Sequence, residues 1–262
     1  MYRHLWLMLH RHFKKLVDAF EHHATAVRKK ATRKNVHDLR VTIKRIRAFL
    51  LLVQHLDNRC VMKLKHAQKL IKIFRKAGRI RDAQMESMIL KKWKQKPHRQ
   101  PATQCRVKRL QQALRVFSKL KAWRKFQQAC MPVFTQWRKP ELTGAIFDFS
   151  VHQIEKALRL VERGSVHSAR KKLKTAHYVL EILSEKNAQA ARLIALVKPL
   201  EDQTGHFLDQ LHVVHSLKKK PALSYEHLIQ QMEDDIARRQ ADIRHSFREL
   251  QQQLPALLNG ER

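Results

Sequence analysis

The sequence predicts an all-α fold, and three observations carry that expectation. Apolar residues recur at spacings of three and four almost from end to end, as one buried stripe on each helix requires. No stretch alternates apolar with polar residues long enough to read as a strand. The 262 residues include only 5 Gly and 7 Pro against 44% hydrophobic residues, which excludes collagenous, linker-like and largely disordered chains and suffices for one large core or two smaller ones.

Helical segments are expected at about 2–30, 35–57, 61–77, 79–96, 103–130, 141–163, 165–185, 187–203, 205–218 and 223–257. The opening MYRHLWLMLHRHF is broken by Arg3, His4, His10 and Arg11 too early for a signal-peptide core. Val36, Leu39, Ile43, Ile46, Leu50 and Val53 give the second segment its core face, and Leu70, Ile71 and Phe74 the third. Gly78 separates the third from the fourth, QKPHRQP ends the fourth, Met131-Pro132 ends the fifth and Lys139-Pro140 precedes the sixth. Gly164-Ser165 leads into the seventh, whose face is Val166, Ala169, Leu173, Ala176, Leu180 and Leu183. Gly205 divides the eighth from the ninth, and Pro221 precedes a long last segment whose mixed charge favours ordinary packing. MPVFTQWRKPELTG, ending at Gly144, is the best boundary, giving an N-terminal bundle over 1–138 and a C-terminal bundle over 139–262. No run approaches the roughly 20 apolar residues needed to cross a membrane, so no membrane insertion is expected.

Lys and Arg total 55 against 22 Asp and Glu, a formal charge of +33, and such an excess repels itself unless a polyanion balances it. The excess is uneven: residues 28–125 hold 31 Lys/Arg and 4 Asp/Glu, whereas residues 126–262 hold 20 and 16. Electrostatic capture is therefore expected in the first half. Cys60, Cys105 and Cys130 are odd in number and lack CxxC spacing, so neither a disulfide framework nor a zinc knuckle is indicated, and a reducing cytoplasm fits.

Part of the chain repeats. VHDLRVTIKRIR at 36–47 has a weaker copy, VHSARKKLKTAH, at 166–177; Val36, His37, Arg40, Lys44 and Leu50 recur at an offset of 130 as Val166, His167, Arg170, Lys174 and Leu180. Gly78 and Asp82 recur at an offset of 127 as Gly205 and Asp209. Two linked matches in the same order favour a duplicated helical bundle.

On a helix, His37, Arg40, Lys44 and Arg47 fall within roughly 80° of arc and extend roughly 15 Å beside the core face. His167, Arg170, Lys174 and His177 repeat the row, with Lys171 and Lys172 adjacent. Lys65, Lys69, Lys72 and Lys76 form a third row, extended by Arg79 and Arg81, with Asp82 placed to orient a cation. Like charges at these spacings destabilise an isolated helix by roughly 0.2–0.5 kcal/mol per pair, so something outside the helix is expected to compensate. Arg offers a planar fork to phosphate oxygens, Lys a compact charge, and protonated His a donor at each nitrogen. The bland alternative is a solvated helix face; recurrence of His, Arg and Lys at fixed intervals weighs against it.

With those residues in view, the chain resembles the CHAD family, the conserved histidine α-helical domain. VHDLRVTIKRIRAFLLL resembles its first histidine helix and AGRIRDAQM the following Gly-to-Asp segment; VHSARKKLKTAHYVLEIL and TGHFLDQLHVV resemble the second pair. The resemblance implies two pseudo-symmetric antiparallel helical bundles that bind inorganic polyphosphate, in the cytoplasm and at polyphosphate granules. By matching positions it implies phosphate-binding roles for His37, Arg40, Lys44, Arg45 and Arg47, then for His167, Arg170, Lys171 and Lys174, with Tyr178 at an aromatic position of the family. The row positions Lys65, Lys69, Lys72, Lys76, Arg79, Arg81 and His177 complete the expected binding set. Departures lie at Gln84 and Leu211, where the family often has a second acid, and at Lys174-Thr175-Ala176-His177, which is poorer in cations than usual.

Non-specific DNA or RNA binding is the nearest alternative, because the same charge attracts any phosphate backbone by counterion release. Stacking aromatics are scarce at 7% and follow helical core positions. No P-loop, HExxH or ExExK signature occurs, so neither catalytic residues nor a cofactor is expected, and hydrolysis is not inferred. His22-His23 and His206, His212 and His215 lack acidic coligands in a recognisable arrangement, and no metal site is expected. Oligomeric state is not legible.

Overall fold

The computed structural model describes residues 3–56, 65–93, 102–118, 139–185, 187–219 and 225–259. Among the described residues there are eight helices and no strand: α1 Arg3–Lys29, α2 Arg33–Leu56, α3 Lys65–Lys92, α4 Ala102–Ser118, α5 Lys139–Glu162, α6 Val166–Leu180, α7 Ala188–Lys218 and α8 Glu226–Asn259. The chain divides into two compact units, residues 1–88 with 96–146 and residues 89–95 with 147–262.

In unit 1, α1 and α2 form a hairpin through residues 30–32. The turn is held by side chains: Thr32 Oγ1 accepts from the Asn35 backbone N–H at 3.1 Å, and Asn35 Nδ2 donates to the Lys30 carbonyl at 2.7 Å. Leu9, Phe13, Leu16, Phe20 and Val27 of α1 are buried, as are Val36, Leu39, Ile43, Ile46, Phe49, Leu52 and Val53 of α2. Phe13 stacks on Phe49 with centroids 5.3 Å apart, and Phe20 meets Phe117 of α4 edge-on at 5.3 Å. Leu50, expected in the core, is only half-buried, and Phe49 and Leu52 fill that level instead. Each large apolar side chain removed from water contributes about 1.5–3 kcal/mol. That burial outweighs the repulsion along a helix as cationic as α2. Gln111 of α4 donates to the Val27 and Arg28 carbonyls at 3.2 and 3.1 Å, satisfying acceptors that the end of α1 leaves unpaired.

In unit 2, α6 packs on α7 and α7 on α8. Gly164 turns the chain into α6 with φ at 75°, a left-handed conformation that favours glycine. The Gly164 and Ser165 N–H groups return to the Val161 and Leu160 carbonyls, each at 2.8 Å. Asn187 caps α7, its side chain accepting from the Ala190 N–H at 2.8 Å. Leu228, Met232, Ile236, Ile243, Phe247, Leu250 and Leu254 bury one stripe of α8, so the last segment is a bundle helix.

Two expected breaks are not breaks. Gly78 and Gly205 lie inside α3 and α7, and each helix continues through its glycine. An interior glycine costs a helix about 1 kcal/mol relative to alanine. At Gly78 and Gly205 a side chain from the neighbouring helix accounts for its presence.

Candidate functional site

In unit 1 the α2 row meets α3 at Phe74. Arg40 Nη1 donates to the Phe74 carbonyl at 3.2 Å, and its guanidinium carbon stands 4.4 Å from the centroid of the same ring. Lys44 Nζ is 6.0 Å and Arg47 Cζ 5.8 Å from that centroid, so three of the four row residues gather around one aromatic ring. The spacing of Arg40, Lys44 and Arg47 stacks them along a single side of α2, and a ring quadrupole attracts each cation by about 0.5–1 kcal/mol without cancelling its charge. His37, at the N-terminal end of the row, is exposed, as is Arg47; Arg40 and Lys44 are half-buried. A methyl group on Gly78 would overlap Arg40 Nη1, which explains the missing side chain there. Phe74, expected in the core, is half-buried and serves as the platform for the row.

Other expected cations lie elsewhere. Lys69, Lys72, Lys76 and Arg79 are exposed, and helical geometry puts them on roughly the opposite side of α3 from Phe74. Of the α3 set, only half-buried Arg81 shares the Phe74 side. The Lys65 side chain lies outside the described residues. Arg45 stands roughly 80–160° around α2 from the row, and its charge acts on His12 of α1. Burial first, then Arg45 and Lys15, pushes the His12 imidazole down to about 4, so the ring is neutral where it stacks on Phe49 at 5.9 Å.

Unit 2 makes the same arginine contact. Arg170 Nε donates to the Glu201 carbonyl at 3.3 Å, and a Cβ on Gly205 would lie 2.7 Å from Arg170 Nη2. Below Arg170 the chemistry diverges. The Glu201 carboxylate pairs with Lys174 through Oε1 and with His177 Nδ1 through Oε2, the latter at 2.8 Å. His177 Nε2 is 3.6 Å from Glu181 Oε1, and its ring stacks on Tyr178 at 5.4 Å. The Glu201 and His177 side chains are only 4% and 9% exposed. Burial acts to raise the Glu201 carboxyl, but the His177 hydrogen bond and the Lys174 ammonium together outweigh it and hold the group at about 2. Lys174 and His177, expected to contact phosphate from the border of the core face, are therefore turned onto an internal acid, and Tyr178, also in the expected set, is buried.

At the start of α6, His167 and Lys171 are exposed and Arg170 is half-buried. Burial, then the charges of Lys171 and Arg170, lowers the His167 imidazole below its ordinary range. These three groups are close enough to oppose one another's charge, a state that an anion relieves.

Glu201 is the buried acid beside the second row that the sequence did not single out. Its signal was present: Glu201 precedes Gly205 by four residues, as Phe74 precedes Gly78. Among the described residues no group of three or more His, Cys, Asp or Glu is placed to hold a metal ion. No helix among them is long and apolar enough to cross a membrane.

Comparison with known proteins agrees with this architecture. The structure is similar to the crystal structure of the CHAD domain from the plant Ricinus communis, with a TM-score of 0.66 and 13% sequence identity, covering 93% of this chain and 91% of that one. At that identity the likeness speaks for the fold alone. No curated protein matches the chain. The CHAD domain family model matches residues 11–218, which include both histidine helices and both arginine–glycine contacts. On that match over most of its length, the chain belongs to the CHAD family.

Proposed function

We propose that this protein binds inorganic polyphosphate without altering it, chiefly through His37, Arg40, Lys44 and Arg47 of unit 1, with His167, Arg170 and Lys171 as a second group. Polyphosphate binding is a known role of the family, which supports the ligand class. The observation that carries the reading is the gathering of Arg40, Lys44 and Arg47 around Phe74 in a region with 31 basic and 4 acidic residues. That excess of cations over acids in the sequence is what a polyanion would balance. A linear phosphate chain presents closely spaced anionic oxygens to such a row, and arginine forks and lysine ammonium groups suit them.

The same geometry favours polyphosphate over single-stranded nucleic acid. Base stacking needs an open aromatic face, and Arg40 already covers the Phe74 ring. The proposed setting is the cytoplasm, with polyphosphate granules as the place where the ligand is concentrated.

Competition at fixed salt tests the ligand. Length-defined polyphosphate is expected to displace labelled single-stranded DNA of equal charge at concentrations well below those at which the DNA displaces polyphosphate. Displacement governed by total charge alone would support a general nucleic-acid-type polyanion binder instead.

A further inference from the structure

We infer that Glu201 is a built-in counter-anion: its carboxylate takes the place against Lys174 and His177 that a phosphate would take, and confines the ligand contacts of unit 2 to His167, Arg170 and Lys171. This rests on the polyphosphate reading above and adds which residue limits the binding.

Three observations carry it. Both carboxylate oxygens are engaged, Oε1 by Lys174 and Oε2 by His177, while the other nitrogen of His177 faces Glu181. The groups are enclosed: Lys174 is 16% exposed and Glu201 4%. A ligand phosphate would have to evict an acid already in place, and an attached partner competes at high effective concentration. Register supplies the third. Glu201 and Phe74 each lie four residues before the glycine over which the arginine lies, and each accepts that arginine on its carbonyl. Lys174 and His177 occupy the positions of Lys44 and Arg47 in the repeat. At the position four residues before the glycine, unit 1 has an uncharged ring and unit 2 an anion, although Lys174 also lies 5.7 Å from the centroid of the Tyr178 ring. With its carboxyl held at about 2, Glu201 stays ionised throughout the neutral range.

Calorimetric titration with length-defined polyphosphate tests the assignment in Glu201→Gln, which keeps the shape and removes the charge. Releasing Lys174 for the ligand is expected to tighten binding roughly tenfold and to steepen its salt dependence by about one released counterion. A folded Glu201→Gln protein whose affinity and salt slope match the parent overturns the inference. Because the variant leaves Lys174 with a neutral partner and can fold poorly, a second measurement uses the unaltered chain. On saturation with polyphosphate, the ring resonances of His167 are expected to move and those of His177 to stay. A His177 response as large as that of His167 overturns the inference. The parent binding polyphosphate while both results go against Glu201 leaves the ligand reading standing; a parent that fails to bind removes both.

Discussion

Two arginines, Arg40 and Arg170, cross to a neighbouring helix in the same way, each donating to a backbone carbonyl and lying over a glycine. What stands beside them differs. In unit 1 the residue is Phe74, whose uncharged ring lies within 6.0 Å of Arg40, Lys44 and Arg47. In unit 2 it is Glu201, which neutralises Lys174 and binds His177 in a nearly closed site. A shared backbone contact thus positions one arginine in each unit, while the residue that accepts it carries an aromatic ring in unit 1 and a carboxylate in unit 2. Charge follows the same division, with 34 basic to 7 acidic residues in the sequence of unit 1 and 21 to 15 in that of unit 2.

The largest expected effect separates the units by acid stability. Glu201, ordinarily near 4.5, is held at about 2, so its contribution is complete above pH 4.5 and is lost as pH falls through about 2. His12, ordinarily near 6.5, is pushed down to about 4; the fold favours the neutral ring, and that contribution is complete above pH 6.5 and lost as pH falls through about 4. At about 1.4 kcal/mol per pH unit, each is worth roughly 3 kcal/mol. Denaturant titrations at stepped pH should show a first loss between 6.5 and 4 that His12→Phe flattens, and a second between 4.5 and 2 that Glu201→Gln flattens. Slopes unchanged in these variants would contradict the assignments.

Next in size is transfer of the unit 2 arrangement into unit 1. Phe74→Glu places an acid among Arg40, Lys44 and Arg47 and is expected to weaken polyphosphate binding by roughly thirtyfold, whereas Phe74→Leu, which removes only the ring, should cost a few-fold. Equal affinities for the two variants would show that neutralisation is not what separates the units.

A smaller effect concerns pH. Burial, Lys171 and Arg170 disfavour the His167 imidazolium in the free protein, and a bound phosphate reverses that balance. Binding takes up protons, so affinity should rise several-fold from about pH 8 to 5.5, less steeply in His167→Gln. A pH-independent affinity would remove the histidine from the contact set.

Smallest in stability is Gly78→Ala. The added methyl improves helix propensity by up to about 1 kcal/mol but displaces the Arg40 guanidinium, so thermal unfolding should change little while binding weakens a few-fold. Gly205→Ala should do less to binding. The reverse ranking would place the dominant arginine in unit 2.

Much of the fold was legible because a buried helix face leaves a period in the sequence, and α1, α2, α6 and α8 follow it closely. Glycine was the misleading sign. Gly78 and Gly205 read as ends of helices, yet each clears space for an arginine arriving from another helix, a tertiary cause that local periodicity does not contain. The cation row of α2 was legible for the same reason as its core face. Its counterpart on α6 was legible as a pattern but not as an environment, because the acid that occupies Lys174 and His177 comes from α7, more than twenty residues downstream. The α3 lysines are legible as a regular stripe, but their angular position on α3, which separates them from Phe74, follows only from how α2 packs on that helix.

The central claim is that unit 1 carries most of the grip on polyphosphate. Its most direct test is calorimetric titration of length-defined polyphosphate into two folded variants, His37→Ala/Arg40→Ala and His167→Ala/Arg170→Ala. The account predicts a loss of roughly a hundredfold for the first pair and tenfold or less for the second. Equal losses, or a first pair that binds like the parent, would contradict it.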